Sequence, residues 1–413
     1  MSERVIVVGG GVIGAACAYY LCKAGCSVTL IDQGEFGRGC SHGNCGYVCP
    51  SHVLPLAGPG AIGATFKTLL SRNSPLKVRW RLDPAMWSWF WQFARKCNKT
   101  DMIASGHAIQ ALLASSRSLY DELMRTELTD LEWEPNGLLF VFRSPKAMEH
   151  YAETDRLLRE EFNLGATRYD GDALTNLEPA LKSGIAGAWH YLTDGHLRPD
   201  KLMSAWRRRL EADGVEIREH CELRDLAVDG RLARRLTTSQ GELSADQIVV
   251  ATGAWTPKLR AMMRCPIPIQ PGKGYSLTMP RPKLCPRLPM IFEEHRVAVT
   301  PMATGYRIGS TMEFAGYDET MNPARLQLLR EGAELYLREP WAEPVTESWW
   351  GWRPMTPDSV PYVGAVPAFD NVWMAAGHGM LGVSMSPATG RLIAEMMTGR
   401  TPHIAAEAYR LGR

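Results

Sequence analysis

The sequence predicts an α/β fold that opens with a dinucleotide-binding βαβ unit, on three observations. The apolar run Val5-Ile6-Val7-Val8 breaks into Gly9-Gly10-Gly11-Val12-Ile13-Gly14. An apolar helical stretch then leads to a second strand, Ser27 to Ile31, which Asp32 closes. Further on, Gln247 to Val250 and Val372 to Ala376 are buried-strand runs that end in small-residue turns, as strands of a parallel sheet do.

Each element has its reason. Gly9 allows the tight turn off the first strand, Gly11 lets the backbone approach a pyrophosphate, and Gly14 lets the helix pack closely on the sheet. Val12 and Ile13 complete the turn. Asp32 stands where a carboxylate accepts from ribose hydroxyls, which favours FAD or NAD over NADP. Gly37 to Gly46 is a glycine-rich polar loop suited to a phosphate or a flavin edge, or else an ordinary surface loop. Periodicity places helix over Thr100 to Leu128, Lys146 to Asn163 and Lys201 to Asp213. Strand patterns run from Trp133 to Phe142, from Gly214 to Ile217, and from Val297 to Ser310 with Gly305 as a hairpin signal; Asp229-Gly230 marks another hairpin. Ala251-Thr252-Gly253-Ala254-Trp255 is a small-residue turn, and Gly377 to Ser384 lies at the mouth of a helix from Pro387 to Thr398. A helix N-terminus suits the negative charge of a reduced flavin.

Composition narrows the class. A chain of 413 residues exceeds one usual core and reads as two domains. A formal net charge of +2 gives no nucleic-acid footprint, so the partner is a small molecule. The start resembles neither a signal peptide nor a spanning helix, and the expected location is the cytoplasm or the inner face of the membrane as a peripheral protein. Ten cysteines there are reduced thiols by default. Cys40, Cys45 and Cys49 are structural or incidental, or else a metal or cluster site; no metal is expected.

The glycine turn, Ser41-His42-Gly43-Asn44, Ala251 to Trp255, Gly272-Lys273-Gly274-Tyr275-Ser276-Leu277, Arg353-Pro354-x-Thr356-Pro357-Asp358 and Gly377-His378-Gly379 occur in that order. Over essentially the whole chain they resemble the D-amino acid oxidase superfamily of FAD enzymes, with bacterial D-amino acid dehydrogenases the closest in pattern. The resemblance implies a Rossmann-like FAD-binding domain (residues 1–50, 196–264 and 350–413) and a discontinuous α+β substrate domain (51–195 and 265–349). It implies cofactor contacts at Gly9, Gly11, Val12, Ile13, Gly14 and Asp32, at Ser41, His42, Gly43 and Asn44, and at Leu223, Thr252, Gly253 and Trp255. The last group is Gly377, Gly379, Met380, Leu381 and Gly382. The family more often has Glu where Asp32 stands. Some relatives link the flavin through a cysteine where this chain has Gly351, so non-covalent FAD is expected.

The implied reaction is oxidative deamination of a small D-amino acid: hydride passes from Cα to flavin N5, and water hydrolyses the imino acid. Arg353 matches the family arginine that grips the substrate carboxylate, a task suited to a planar guanidinium. Tyr275 is either a wall of the substrate pocket or core packing. His42 and His378 either tune charge and accept a proton or only hold neighbours by hydrogen bonds. Alternative readings are a dehydrogenase of D-hydroxyproline or another cyclic secondary amine, and the flavin subunit of a larger electron-transfer complex. The electron acceptor is a quinone, an iron-sulfur partner or oxygen. Trp80 to Phe93, with the basic residues Lys67, Arg72, Lys77, Arg79 and Arg81, is either buried packing in the substrate domain or at a subunit contact, or a Trp-rich basic patch on a membrane interface.

Overall fold

The computed structural model describes residues 2–63, 76–79 and 81–413; Lys67, Arg72 and Trp80 lie outside the described residues. At its centre is a six-stranded sheet in the order Tyr362–Ala365, Val372–Ala376, Gln247–Val250, Arg4–Val8, Ser27–Ile31, Glu216–Arg218. Every neighbouring pair is parallel except at the edge strand Tyr362–Ala365. The first strand shows why such a run becomes central. Val5 and Val7 enter one core while Ile6 and Val8 enter another on the opposite face, so a continuous β-branched stretch is buried on both sides.

Helices Val12–Lys23 and Gly382–Met397 cover the Val5 and Val7 face. A three-stranded antiparallel sheet, Leu223–Asp229, Leu232–Thr238 and Gly241–Ser244, covers the other through Leu226, Ala233 and Leu236. Its first hairpin turns at Asp229-Gly230, as expected.

The last helix begins at Gly382, five residues before the expected start at Pro387. A proline inside a helix leaves the carbonyl four residues back without its partner. Here Val383 O accepts from the Tyr120 hydroxyl at 2.7 Å and from Ser386 Oγ at 3.2 Å, which satisfies the carbonyl that Pro387 leaves without a helical donor.

A nine-stranded mixed sheet forms the second layer, with Glu347–Met355 at one edge, then Gln270–Met279, Tyr306–Phe314 and Val297–Thr300. Val297 to Ser310 does form a hairpin, turning between Met302 and Gly305. Of the stretch from Trp133 to Phe142, only Leu138–Phe142 is strand. Pro135 lacks an N–H and Gly137 sits at φ +89°, so Glu134 makes only a lone bridge to His196. Helices Lys99–Thr126 and Pro145–Phe162 follow the expected periodicity and are capped by the side chains of Asn98 and Ser144.

The loop Gly37 to Gly46 runs between the two sheets and is tied to both. Gly37 N donates to Gly10 O at 2.9 Å, while Thr300 Oγ1 and the buried Arg307 guanidinium donate to the carbonyls of Cys45, His42 and Asn44. Among the described residues no helix is long and apolar enough to cross a membrane.

Candidate active site

A cleft of about 550 Å³ lies at the C-terminal ends of the central strands, the crevice where open parallel sheets take their ligands. The glycine turn forms its floor. Gly9 stands at φ +116°, and a Cβ there would fall 2.4 Å from Ala251 O; a Cβ on Gly14 would fall 1.8 Å from Gly9 O. Neither position accepts a side chain. Gly11 is less confined: an ideal Cβ there would meet only Ser41 Oγ, at 3.5 Å. Gly11, Val12 and Ile13 line the cleft and Gly14 packs beneath it. The helix that starts here has no acidic residue in its first turn, and Val12 N donates to Ser41 Oγ at 3.0 Å. Its positive end is therefore turned to the cleft.

Asp32 also lines the cleft, with Oδ2 accepting from Gly10 N at 2.6 Å and Oδ1 from Gly34 N at 2.7 Å. Leu223, Thr252, Gly253 and Trp255 line it too. Trp255 stacks on Tyr317 with centroids 5.4 Å apart, and Lys258 Nζ lies 4.0 Å from the Trp255 centroid. A cradle without side chains, a helix N-terminus and an oriented carboxylate fit the pyrophosphate and ribose of a dinucleotide flavin.

In the loop, Ser41 and Asn44 line the cleft and His42 and Gly43 do not. His42 turns away, with Nε2 2.7 Å from Glu347 Oε1. Gly43 lies under Trp349, where a Cβ would meet Cδ2 at 2.0 Å; a Cβ on Gly351 would meet Cη2 of the same indole at 2.2 Å. Trp349 thus fills the space a side chain at 351 would need, and it forms part of the cleft wall.

At the third side His378, Gly379 and Gly382 line the cleft, while Gly377, Met380 and Leu381 complete the turn around them. Leu381 N donates to His378 O at 2.9 Å, and Asn44 Nδ2 reaches Met380 O at 3.5 Å. His378 is buried with Nε2 3.0 Å from Thr389 Oγ1, and desolvation lowers its pKa to about 3. The ring is neutral at physiological pH.

Tyr275 and Arg353 stand on neighbouring strands and face opposite ways. Tyr275 pairs across with Trp350 and enters the core of the second sheet, where its hydroxyl donates to Glu313 Oε2 at 2.8 Å. Burial and that carboxylate raise its pKa above the usual phenol value. Arg353 lies on the other face, the one that carries Gly351 and Trp349. Its guanidinium lies over Gly274, where a Cβ would fall 2.4 Å from Cζ.

Arg353 Nη1 donates to Thr311 O at 2.6 Å and Nη2 to Ser310 O at 3.5 Å. Those carbonyls are turned toward it at an irregularity in the sheet, with Ser310 at φ +110° and Thr311 at φ +50°. Conformations this unusual for side-chain-bearing residues concentrate at functional sites. Burial lowers the guanidinium's pKa, with the thiols of Cys40 and Cys45 acting the other way. Among the described residues no carboxylate pairs with Arg353.

Cys40 lines the cleft, and burial raises its thiol to about 11, so it is not a thiolate. Among the described residues no group of three side chains is placed to hold a metal. Trp349 and Lys258 are wall residues that sequence reasoning missed. The alternation Glu347, Trp349, Gly351, Arg353 was the available signal for the first, since a period of two puts all four on one face.

The profile of the family described as "FAD dependent oxidoreductase" matches residues 4–396. A protein of Paramagnetospirillum magneticum named D-amino acid dehydrogenase is 32% identical over 99% of this chain and 98% of its own length. One of the same name from Methylobacterium nodulans is 34% identical over 98% of this chain and 97% of its own. Among solved structures, glycine oxidase from Geobacillus kaustophilus superposes with a TM-score of 0.80 at 22% identity, covering 100% of this chain and 99% of that one.

Proposed function

The chain belongs to the FAD dependent oxidoreductase family, and from that premise we propose that it oxidises a small D-amino acid to its imino acid, which water hydrolyses to the keto acid. The full-length likeness to proteins named D-amino acid dehydrogenase supports the substrate class. FAD is bound without a covalent link in this reading: Gly11, Val12, Ile13 and Ser41 hold the pyrophosphate, Asp32 the ribose, and the helix N-terminus at Gly382 the electron-rich edge of the ring. FAD held there would supply the two-electron acceptor for the substrate amine.

The observation that carries the reading is Arg353. A guanidinium tied to two backbone carbonyls beside the cleft, with no carboxylate of its own, has N–H groups left for a planar anion. Gripping the substrate carboxylate at two points orients Cα, which supplies much of the rate. Neutral His378 braces the Gly379 to Gly382 turn.

Replacing Arg353 tests this. Arg353→Ala should lose about 2 to 5 kcal/mol of transition-state stabilisation, read from kcat/KM, while FAD content stays near that of wild type. Arg353→Lys keeps the charge but loses the fork, so it should also be impaired. Near-normal efficiency of Arg353→Ala on D-amino acids refutes the clamp.

A further inference from the structure

Arg353 lies over an irregularity in the sheet. Strands Gln270–Met279 and Tyr306–Phe314 pair Lys273 with Glu313 and Tyr275 with Ser310, so Gly274 on one strand faces both Thr311 and Met312 on the other. This is a β-bulge, which turns backbone groups out of the ladder, and the guanidinium sits on it at Gly274. The far side of Tyr306–Phe314 changes partner at the same point: Val297–Thr300 pairs with it as far as Ser310, and Leu76–Val78 takes over from Met312. Thr311 falls between partners on both sides. Its buried Oγ1 has no hydrogen bond among the described residues, so its own side chain does not hold it at φ +50°.

The tie lies on the face away from Arg353, where the alternation of the strand sends Lys273 and Tyr275. Glu313 is fully buried there, with Oε2 accepting from the Tyr275 hydroxyl at 2.8 Å and Oε1 from Arg79 Nε at 2.9 Å. Tyr275 is paired on one side of the bulge and Glu313 on the other, so their bond spans it. A hydrogen bond to a buried carboxylate is among the stronger ones. Lys273 braces the Glu313 end, donating from Nζ to Asp318 O at 2.7 Å, and the Asp318 carboxylate pairs with Arg79.

We propose that Tyr275 is a positioning residue for Arg353: its hydrogen bond to Glu313 pins the bulge that turns the Ser310 and Thr311 carbonyls toward the guanidinium, a role that rests on Arg353 gripping the substrate carboxylate. Tyr275 itself does not line the cleft, so its effect passes through Arg353. Without the hydroxyl the carbonyls lose their aim, the guanidinium swings on its flexible stem, and Cα of the substrate is oriented less well.

The test is a double-mutant cycle read in single-turnover anaerobic flavin reduction of the holoenzyme, with a small D-amino acid and the matching amine that lacks the carboxylate. Tyr275→Phe keeps the ring in its core and removes only the hydroxyl, so the variant should fold and retain FAD. Its efficiency on the D-amino acid should fall roughly tenfold to a hundredfold, while that on the amine stays within about twofold of wild type. Added to Arg353→Ala, it should cost no more than about twofold, because the group through which it acts is gone. An equal loss on both substrates, or a loss that multiplies with that of Arg353→Ala, marks a general structural effect and overturns the proposal. Wild-type efficiency of Tyr275→Phe on the D-amino acid also overturns it. If Arg353→Ala is itself as efficient as wild type, the clamp and the positioning role fall together; an impaired Arg353→Ala beside an unimpaired Tyr275→Phe removes only the second.

Discussion

Both oxygens of Asp32 accept from backbone N–H groups, so the carboxylate is oriented before any ligand arrives. Asp32→Ala leaves the N–H groups of Gly10 and Gly34 without that partner and removes the carboxylate proposed to accept from the ribose. It should weaken FAD binding by about 1 to 3 kcal/mol, measured by titration of the apoprotein, and leave the rate of flavin reduction in the loaded enzyme near wild type. His378 gives a second residue-scale expectation. With its pKa lowered to about 3 by burial, it is neutral from pH 5 upward and cannot take the proton a substrate ammonium must lose. Reactive free amine becomes more abundant as pH rises, so kcat/KM should climb toward the substrate's own ammonium pKa. A limb set by an enzyme histidine near pH 6.5 would contradict this. Asp32 and the glycines were legible in the sequence because their spacing is local. Tyr275 was not settled there, because a strand's alternation says which residues share a face without saying which face meets the cleft.

At the scale of elements, the loop bearing Ser41 and the strand Glu347–Met355 meet at the His42–Glu347 contact and at the Trp349 indole, which is seated on Gly43 and Gly351. A methyl at either glycine would overlap that ring. Gly351→Ala should therefore destabilise the protein by about 1 to 3 kcal/mol in denaturant unfolding, and should loosen FAD by shifting the Trp349 wall. Trp349→Ala in the same chain should recover part of the loss in stability. Unchanged stability in Gly351→Ala would show that the indole moves freely. The helix start at Gly382 was hidden for a related reason. Proline usually opens a helix, and the hydroxyl that lets this one continue past Pro387 comes from Tyr120, on a helix 263 residues away from the carbonyl it serves.

For the whole molecule, the central parallel sheet was readable because buried strands and their glycine turns carry dense local signals. The second sheet was less so, since its strands pair across long separations such as Gln270–Met279 with Glu347–Met355. Contacts of that kind set the candidate site: His42 meets Glu347 at a separation of 305, and Arg353 meets the carbonyls of Ser310 and Thr311. Neither partner is implied by the motif that contains the other. The two sheets place the glycine turn and the Asp32 carboxylate around one crevice, with Arg353 on the strand that supplies Gly351 and Pro354 to its wall, and the proposal stands on that arrangement producing amino-acid oxidation. The most direct measurement is anaerobic bleaching of the bound flavin's visible absorbance across a panel of D- and L-amino acids and the matching amines without a carboxylate. Small D-amino acids should bleach it, with their L-enantiomers and the amines slower by orders of magnitude. Bleaching by L-amino acids alone, or equally by amines that lack the carboxylate, would contradict the account.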